Sequence, residues 1–408
     1  MPAKAALAAV GSNGALINLL VNLFVGLALG ANVVAARCYG AKDDQGVHEA
    51  VQTAVTLSLV GGVLMAFVGF FAAHGLLELM SSPEDVIDLA TLYLKIYFIG
   101  MPMTMLYNFN ASLLRAVGDT RRPLVCLAVA GVINVVLNLL FVIVFQMSVA
   151  GVALATILSQ TVSAIMVTVL LVREEGAMHL DLRHLGFHKK AMLQIIQIGL
   201  PAGLQSTVFS LSNVVIQSAI NSFGSTVVAG SSASANLEGF VYTAMNAFAQ
   251  AAVTFTSQNM GARKYQNLNR VVLNCLLCAI VTGVVLGGGA VLAGTQLLHF
   301  YSSDAAVIAA GYERLRVICG TYLLCGIMDT LASSLRGLGY SVLPMVVSLV
   351  GSCLLRLVWI ATIFQLNRTP FMLYISYPIS WVLTAAVHLA CLLVVRHKMK
   401  NRLKLSID

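Results

Sequence analysis

Apolar residues along this chain fall in blocks of twenty or more, separated by short breaks rich in polar, charged or glycine residues. A helix needs about 20 mostly apolar residues to cross the hydrocarbon of a bilayer, so each block predicts one membrane-spanning helix. Five blocks lie near 14–36, 47–73, 88–114, 123–145 and 151–172. Six more follow near 191–221, 227–258, 269–298, 305–335, 342–364 and 371–395. The pattern predicts an all-α, polytopic membrane protein with these eleven crossings.

The blocks carry an internal repeat. Residues 81–125 align without a gap on residues 302–346, a shift of 302 − 81 = 221, and twelve of the forty-five positions match. The matches run from Ser81/Ser302 and Ser82/Ser303 through Leu94/Leu315, Ala111/Ala332, Ser112/Ser333, Leu114/Leu335, Arg115/Arg336 and Gly118/Gly339 to Pro123/Pro344 and Val125/Val346. Gly40-Ala41 and Gly261-Ala262 obey the same shift. Six crossings separate the span at 14–36 from its copy at 227–258, so both enter the membrane in the same direction. This is the parallel kind of repeat, two pseudo-symmetric helical lobes related by an axis along the membrane normal, with a substrate path expected between them. The expected layout is an N-terminal lobe at 1–172, a polar linker at 173–190, a C-terminal lobe at 191–395 and a basic tail at 396–408. The span at 191–221, with Ile198-Gly199-Leu200-Pro201, has no partner 221 residues earlier, so the eleven crossings are expected to belong to a twelve-helix plan whose first helix precedes Met1.

Composition agrees with a membrane class: 59% of residues are apolar, 10% are charged, and the mean hydropathy is +0.89, against roughly 25% charged in a soluble domain. The net charge of +8 is informative through its distribution. Alternate loops gather 18 of the 24 Lys and Arg, among them Arg37, Lys42, Arg121, Arg122, Lys189, Lys190, Arg263 and Lys264. Positive loops stay cytoplasmic, which places the C-terminus inside and makes the basic excess a topology signal, with no nucleic-acid partner expected. The linker histidines His179, His184 and His188 read as solvated residues, the eight cysteines as small core residues, and no metal site is expected. No H-E-x-x-H pair, nucleophile elbow or phosphate loop suggests an enzyme.

Ionisable side chains inside spans need an explanation, since each costs about 2.5 to 3.5 kcal/mol near the bilayer centre on insertion scales. Asp329 and Glu238 stand out. Each reads either as a cation-coupling site, holding a proton or ligating sodium, or as a carboxylate satisfied by neighbouring hydroxyls and amides. Ser206, Ser210, Asn213, Gln217 and Asn221 recur every three or four residues and share a helix face. That face either lines a water-filled path or makes interhelical hydrogen bonds. Tyr107, Asn108 and Asn138 form a looser set in the first lobe, and Asn108 occupies the place that Asp329 has in the second, since 329 − 221 = 108.

Gly30-Ala31-Asn32-Val33-Val34, Leu114-Arg115-Ala116-Val117-Gly118-Asp119, Ile198-Gly199-Leu200-Pro201, Gln258-Asn259-Met260-Gly261-Ala262 and Leu335-Arg336-Gly337-Leu338-Gly339 occur in an order that resembles the multidrug and toxic compound extrusion (MATE) transporters, in their bacterial multidrug efflux branch. The resemblance runs through essentially the whole chain. It implies two six-helix lobes in the plasma (inner) membrane and export of small organic cations or amphiphiles by alternating access. Na+ or H+ is the implied coupling ion, and no cofactor is implied. Many members of that family have an acid in the first and another in the fifth helix, whereas Asn138 stands at what resembles the latter position. Coupling is therefore expected to rest on Glu238 and Asp329. The rival readings are a flippase for a lipid-linked saccharide or polar lipid, with Arg356 as its main basic candidate inside the membrane, and a non-transporting membrane module.

Overall fold

The computed structural model describes residues 2–79 and 84–405, with side chains over 17–78, except Leu19, and 87–401. Ser81 and Ser82 of the repeat, and the side chains of Val86 and of the tail beyond residue 401, lie outside these. The described residues fold as helices and connecting turns. The chain forms two compact units, Met1–Thr207 and Val208–Asp408.

The first unit begins with α1 (Pro2–Gly40), α2 (Asp44–Leu79), α3 (Glu84–Ile99) and α4 (Met101–Ala116). It continues with α5 (Arg121–Leu139), which runs into a π-helical turn at Leu140–Val144, and α6 (Ser148–Arg173). The helix α7 (Lys189–Asn221) carries the chain across the division. The second unit holds α8 (Ser225–Gly261), α9 (Asn267–Thr282), α10 (Gly288–Leu292), α11 (Gly294–His299), α12 (Ala305–Gly320) and α13 (Tyr322–Gly337). After these come α14 (Val342–Ser348), a π-helical segment at Leu349–Leu354, α15 (Leu355–Ala361), α16 (Ile363–Leu366), α17 (Pro370–Tyr374) and α18 (Ser376–Leu405).

Among the described residues seven helical stretches are long and apolar enough to cross a membrane, and nine if the bent pairs α3–α4 and α12–α13 each make one span. The 33-residue α7 and 37-residue α8 are also long enough, at about 1.5 Å per residue, and polar side chains dilute their hydropathy. By length and apolarity together the described residues give seven to nine crossings, and the eleven expected from the sequence need α7 and α8 as well. Phe67, Phe71, Val132 and Ile143 are each at least 66% exposed on outer helix faces. Such surface is stable against lipid and not against water.

The repeat is visible in the backbone. The bends fall at Gly100 (49°) and Thr321 (42°), and 321 − 221 = 100. Helices α1 and α8 end at Gly40 and Gly261, and the residues just past them, Lys42 (φ 57°) and Arg263 (φ 55°), are both left-handed. Asp43 N donates to Cys38 O and Lys264 N to Asn259 O, each at 3.0 Å, closing the same turn in both units. Gly118 (φ 92°) and Gly339 (φ 98°) stop α4 and α13, as the matched Arg-x-x-Gly phrases predict. A Cβ is strained at such angles, so glycine is required at both.

In the first unit α1 and α7 meet backbone to backbone. Gly26 and Gly30 face Gly199 and Gly203, the small-xxx-small spacing on both helices. A Cβ built on Gly26 would lie 2.1 Å from Gly203 N, and one on Gly203 would lie 2.4 Å from Leu23 O. Gly203→Val is therefore expected to cost at least about 1 to 3 kcal/mol, read as a lowered unfolding midpoint in detergent. Gly131→Ala, where an added Cβ meets nothing within 4 Å, should leave that midpoint in place.

The linker is more buried than the solvated histidines expected in it would suggest. Leu180 is fully buried and Met178 nearly so, His188 N donates to Thr53 Oγ1 at 3.1 Å, and Glu174 pairs with Arg122. Only His184 of the three histidines is exposed. It hydrogen-bonds Asp181, and that contact, with the Arg183 amide, holds the Asp181 carboxyl below its ordinary range. The reason is a pair of apolar anchors that a polar-rich sequence conceals. The cysteines are free; five are buried, while Cys278 is exposed.

Candidate functional site

Charge inside the membrane-spanning segments is concentrated in the second unit. Its first feature arises where α8 and α12 touch: a Cβ on Gly230 would lie 2.5 Å from Val307 O, and one on Gly311 would lie 2.8 Å from Gly230 O. This approach lets two long side chains meet between the helices. Arg314 grips Glu238 with both prongs, Nε to Oε1 at 2.7 Å and Nη2 to Oε2 at 2.9 Å. Its Nη1 donates to Ser231 Oγ at 2.8 Å, Ser234 Oγ donates to Glu238 Oε1 at 2.9 Å, and the guanidinium lies 5.7 Å from the Tyr374 ring centroid. Both residues are more than 90% buried. A bidentate pair with its remaining donors and acceptors filled is the geometry in which two buried charges persist. The Glu238 carboxylate is thus held by a guanidinium and one hydroxyl, where the sequence suggested hydroxyls and amides as its neighbours. Arg314 was missed by the sequence reading. Its signal was present: a basic residue inside an apolar block needs a partner.

Asp329 is different. It lies on α13, eight residues past the bend at Thr321, and is only partly buried. Its nearest polar contact is the Cys325 thiol, one turn back, at 3.9 Å. Among the described residues no basic side chain forms an ion pair with it. The positive charges whose fields reach it are Arg336, two turns on along α13, and Arg356 of α15.

Arg356 belongs to a polar ladder between two antiparallel helical segments. Ser348 Oγ meets His388 Nε2 at 3.0 Å, Ser352 Oγ meets Thr384 Oγ1 at 3.2 Å, and Arg356 Nε donates to Ser380 Oγ at 2.8 Å. The rungs step by +4 on the strip 348, 352, 356 and by −4 on the strip 388, 384, 380, so each strip is one helix face. Gly351 makes room for the Thr384 side chain, since a Cβ there would lie 2.3 Å from Thr384 Oγ1. The guanidinium of Arg356 rests 4.2 Å from the Tyr377 ring centroid and 5.7 Å from that of Trp381.

The cavity residues expected in the first lobe are engaged locally. Tyr107 OH donates to Pro123 O at 3.1 Å, Asn108 Nδ2 to Thr104 O at 2.8 Å, and Asn138 Nδ2 to Asn134 Oδ1 at 3.0 Å, with Asn134 reaching Ser159 at 3.2 Å. On α7, Ser206, Asn213, Gln217 and Asn221 are exposed and Ser210 is partly so. Gln217 Nε2 donates to Asn221 Oδ1 at 3.0 Å along the helix. A polar face left open in this way is suited to line water. Met101 and Met105 are buried in the first unit's core with Leu94 and Phe98.

The 221-residue shift sharpens the contrast between the lobes. The counterparts of Glu238, Arg314, Asp329, Arg356 and His388 are Ile17, Tyr93, Asn108, Val135 and Val167. Every one of these five ionisable groups is neutral in the first copy.

A bent, repeated helical plan with ionisable groups in one lobe describes a polytopic membrane transporter. The MatE family model matches residues 2–140 and 201–362, and the chain belongs to that family, the MATE transporters. It is 26% identical over 351 residues to the probable multidrug resistance protein YoeA of Bacillus subtilis, covering 84% of this chain and 76% of that one. It is 23% identical over 322 residues to the multidrug export protein MepA of Staphylococcus saprophyticus, covering 78% and 70%. Its fold matches a solved outward-facing multidrug resistance MATE transporter with a TM-score of 0.90 at 21% identity, over 97% of this chain and 89% of that structure.

Proposed function

We propose that the protein is a multidrug exporter that works as a secondary antiporter, exchanging small organic cations or amphiphiles for Na+ or H+ by alternating access. It would sit in the plasma (inner) membrane with its C-terminus in the cytoplasm, the side favoured by its basic loops. The observation that carries this reading is Asp329, a carboxylate of a partly buried residue with no ion-pair partner among the described residues, inside a bent transmembrane pair. In the cycle, cation binding at Asp329 favours the state that releases the compound outside. Binding of the compound favours release of the cation inside. Each ligand shifts the equilibrium only by its differential affinity for the two states. One charge moving down 100 mV supplies about 2.3 kcal/mol, roughly a fifty-fold concentration ratio, so one coupled ion suffices.

Glu238 is assigned a structural part, because a coupling ion would have to displace Arg314 from it. The open face of α7 and the asparagines at 108 and 138 are proposed to line the path. A flippase for phosphate-bearing lipids calls for several free basic residues, and with Arg314 committed to Glu238 only Arg356 remains among the two.

The test uses protein in proteoliposomes with an imposed Na+ or pH gradient and a fluorescent organic cation. Dissipation of one gradient that depends on the dye is the expected result. Dye-independent behaviour of both gradients would sink the antiport reading.

A further inference from the structure

Arg356 carries the guanidinium of the ladder, and among the described residues no carboxylate forms an ion pair with it. The side chain is 3% exposed. The ionisable groups acting on it most strongly are Tyr377, Cys325, Cys353 and Tyr322, and the one carboxylate its field reaches, Asp329, makes no ion pair with it. Its Nε is held by Ser380, while Nη2 is buried and makes no hydrogen bond among the described residues. Arg314, in the same unit, uses all three of its nitrogens. A buried guanidinium left in this condition is strongly destabilising, and a state of the protein that pairs it would relieve that cost.

The acid that can relieve it is close. Ser352, one turn before Arg356 on the same face, donates to Met328 Sδ at 3.4 Å, and Met328 precedes Asp329. Cys325, which touches Asp329, is among the groups around Arg356. The other ionisable groups facing Asp329 are Arg336 on its own helix and Tyr242 from α8; from α18, His388 faces Arg336. The resting place of Arg356 also favours movement. Stacking on Tyr377 and Trp381 is weakly directional, one hydrogen bond anchors it, and the π-helical segment Leu349–Leu354 ends two residues before it. Such segments are places where helix register and side-chain direction change. The acid and the base occur together in the second copy of the repeat, and Asn108 and Val135 replace both in the first.

We infer that Arg356 is a built-in competitor of the coupling ion: its guanidinium leaves the aromatic shelf to pair with Asp329 when the carboxylate loses its cation, and returns when a cation binds. The inference rests on the reading of Asp329 as the coupling acid. It explains how an acid between apolar helices stays neutralised through the half of the cycle in which no ion is bound. It makes Arg356 a positioning residue that sets how readily the compound displaces the ion.

The test reads Trp381, the tryptophan beside Arg356 and one of two in the chain. In Trp359→Phe protein its emission is followed during a Na+ titration at fixed pH and a pH titration without Na+. The midpoint is the quantity measured, in protein that is monodisperse in detergent. Asp329→Asn should abolish the response, and a response that survives overturns the coupling role of Asp329 itself. With that role intact, Arg356→Gln should move the midpoint to a cation concentration lower by about tenfold or more, the scale of a nearby opposite charge removed. Ser380→Ala, which frees the guanidinium from its anchor, should move it the opposite way by about fivefold, the scale of one hydrogen bond. Should Arg356→Gln fail to fold, Ser380→Ala alone carries the sign. Midpoints that stay in place, or two variants that shift in the same direction, overturn the inference.

Discussion

Arg314→Met is expected to lower the stability of the protein by about 3 to 5 kcal/mol, the cost of removing one member of a buried ion pair. The carboxylate of Glu238 would be left 6% exposed with only the Ser234 hydroxyl for company, and neither lipid nor protein nearby can replace the two prongs of the guanidinium. Glu238→Gln should cost somewhat less, because the amide still accepts from Arg314. Glu238→Gln combined with Arg314→Met should recover most of the loss, since a neutral pair pays no desolvation of charge. Unfolding midpoints of the four proteins in one detergent give the cycle. The same double variant decides what Glu238 is for. With a structural pair, gradient-driven export persists once stability is restored. Export that vanishes in a stable double variant would return the coupling role to Glu238.

Asp329→Asn should leave binding of the organic compound measurable while abolishing its accumulation against a gradient. The substitution keeps the shape of the side chain and removes the one carboxylate of α13, leaving its core residues Cys325, Met328 and Leu331 unchanged. The energy at stake is the whole of the driving force, about 2.3 kcal/mol per charge per 100 mV, and export should fall to equilibration. Counterflow of a radiolabelled or fluorescent compound in proteoliposomes separates the two abilities: exchange continues and uphill transport stops. Uphill transport at an unchanged rate would mean that the ion is held elsewhere.

The two predictions also explain why the lobes are unequal. On the proposed antiport reading a cation site is needed in one place, and a second copy in the first lobe would demand its own counter-charges and its own desolvation cost. The first copy instead carries Ile17, Tyr93, Asn108, Val135 and Val167 at the corresponding positions. It keeps what the repeat needs for shape: the bend at Gly100, the left-handed turn at Lys42 and the glycine stop at Gly118.

Those features of shape were legible in the chain itself. Apolar blocks determined the crossings, because in lipid a backbone must satisfy its hydrogen bonds within one helix and the block length must match the hydrocarbon. The 221-residue shift determined the two-copy plan, and Gly118 and Gly339 determined where α4 and α13 end, since a left-handed stop is a local requirement. The acids Glu238 and Asp329 were also visible as charges in apolar surroundings. Their different situations were not. Glu238 is held by a residue 76 positions away, brought within reach because Gly230 and Gly311 let two backbones touch. Among the described residues Asp329 has no such partner, and Arg356 rests on the rings of Tyr377 and Trp381 in α18. The buried linker was concealed for the same reason, since Met178 and Leu180 find their cover in the first unit. Which buried charge is neutralised depends on which helix faces meet, and that is a property of packing over tens of residues that no local pattern records.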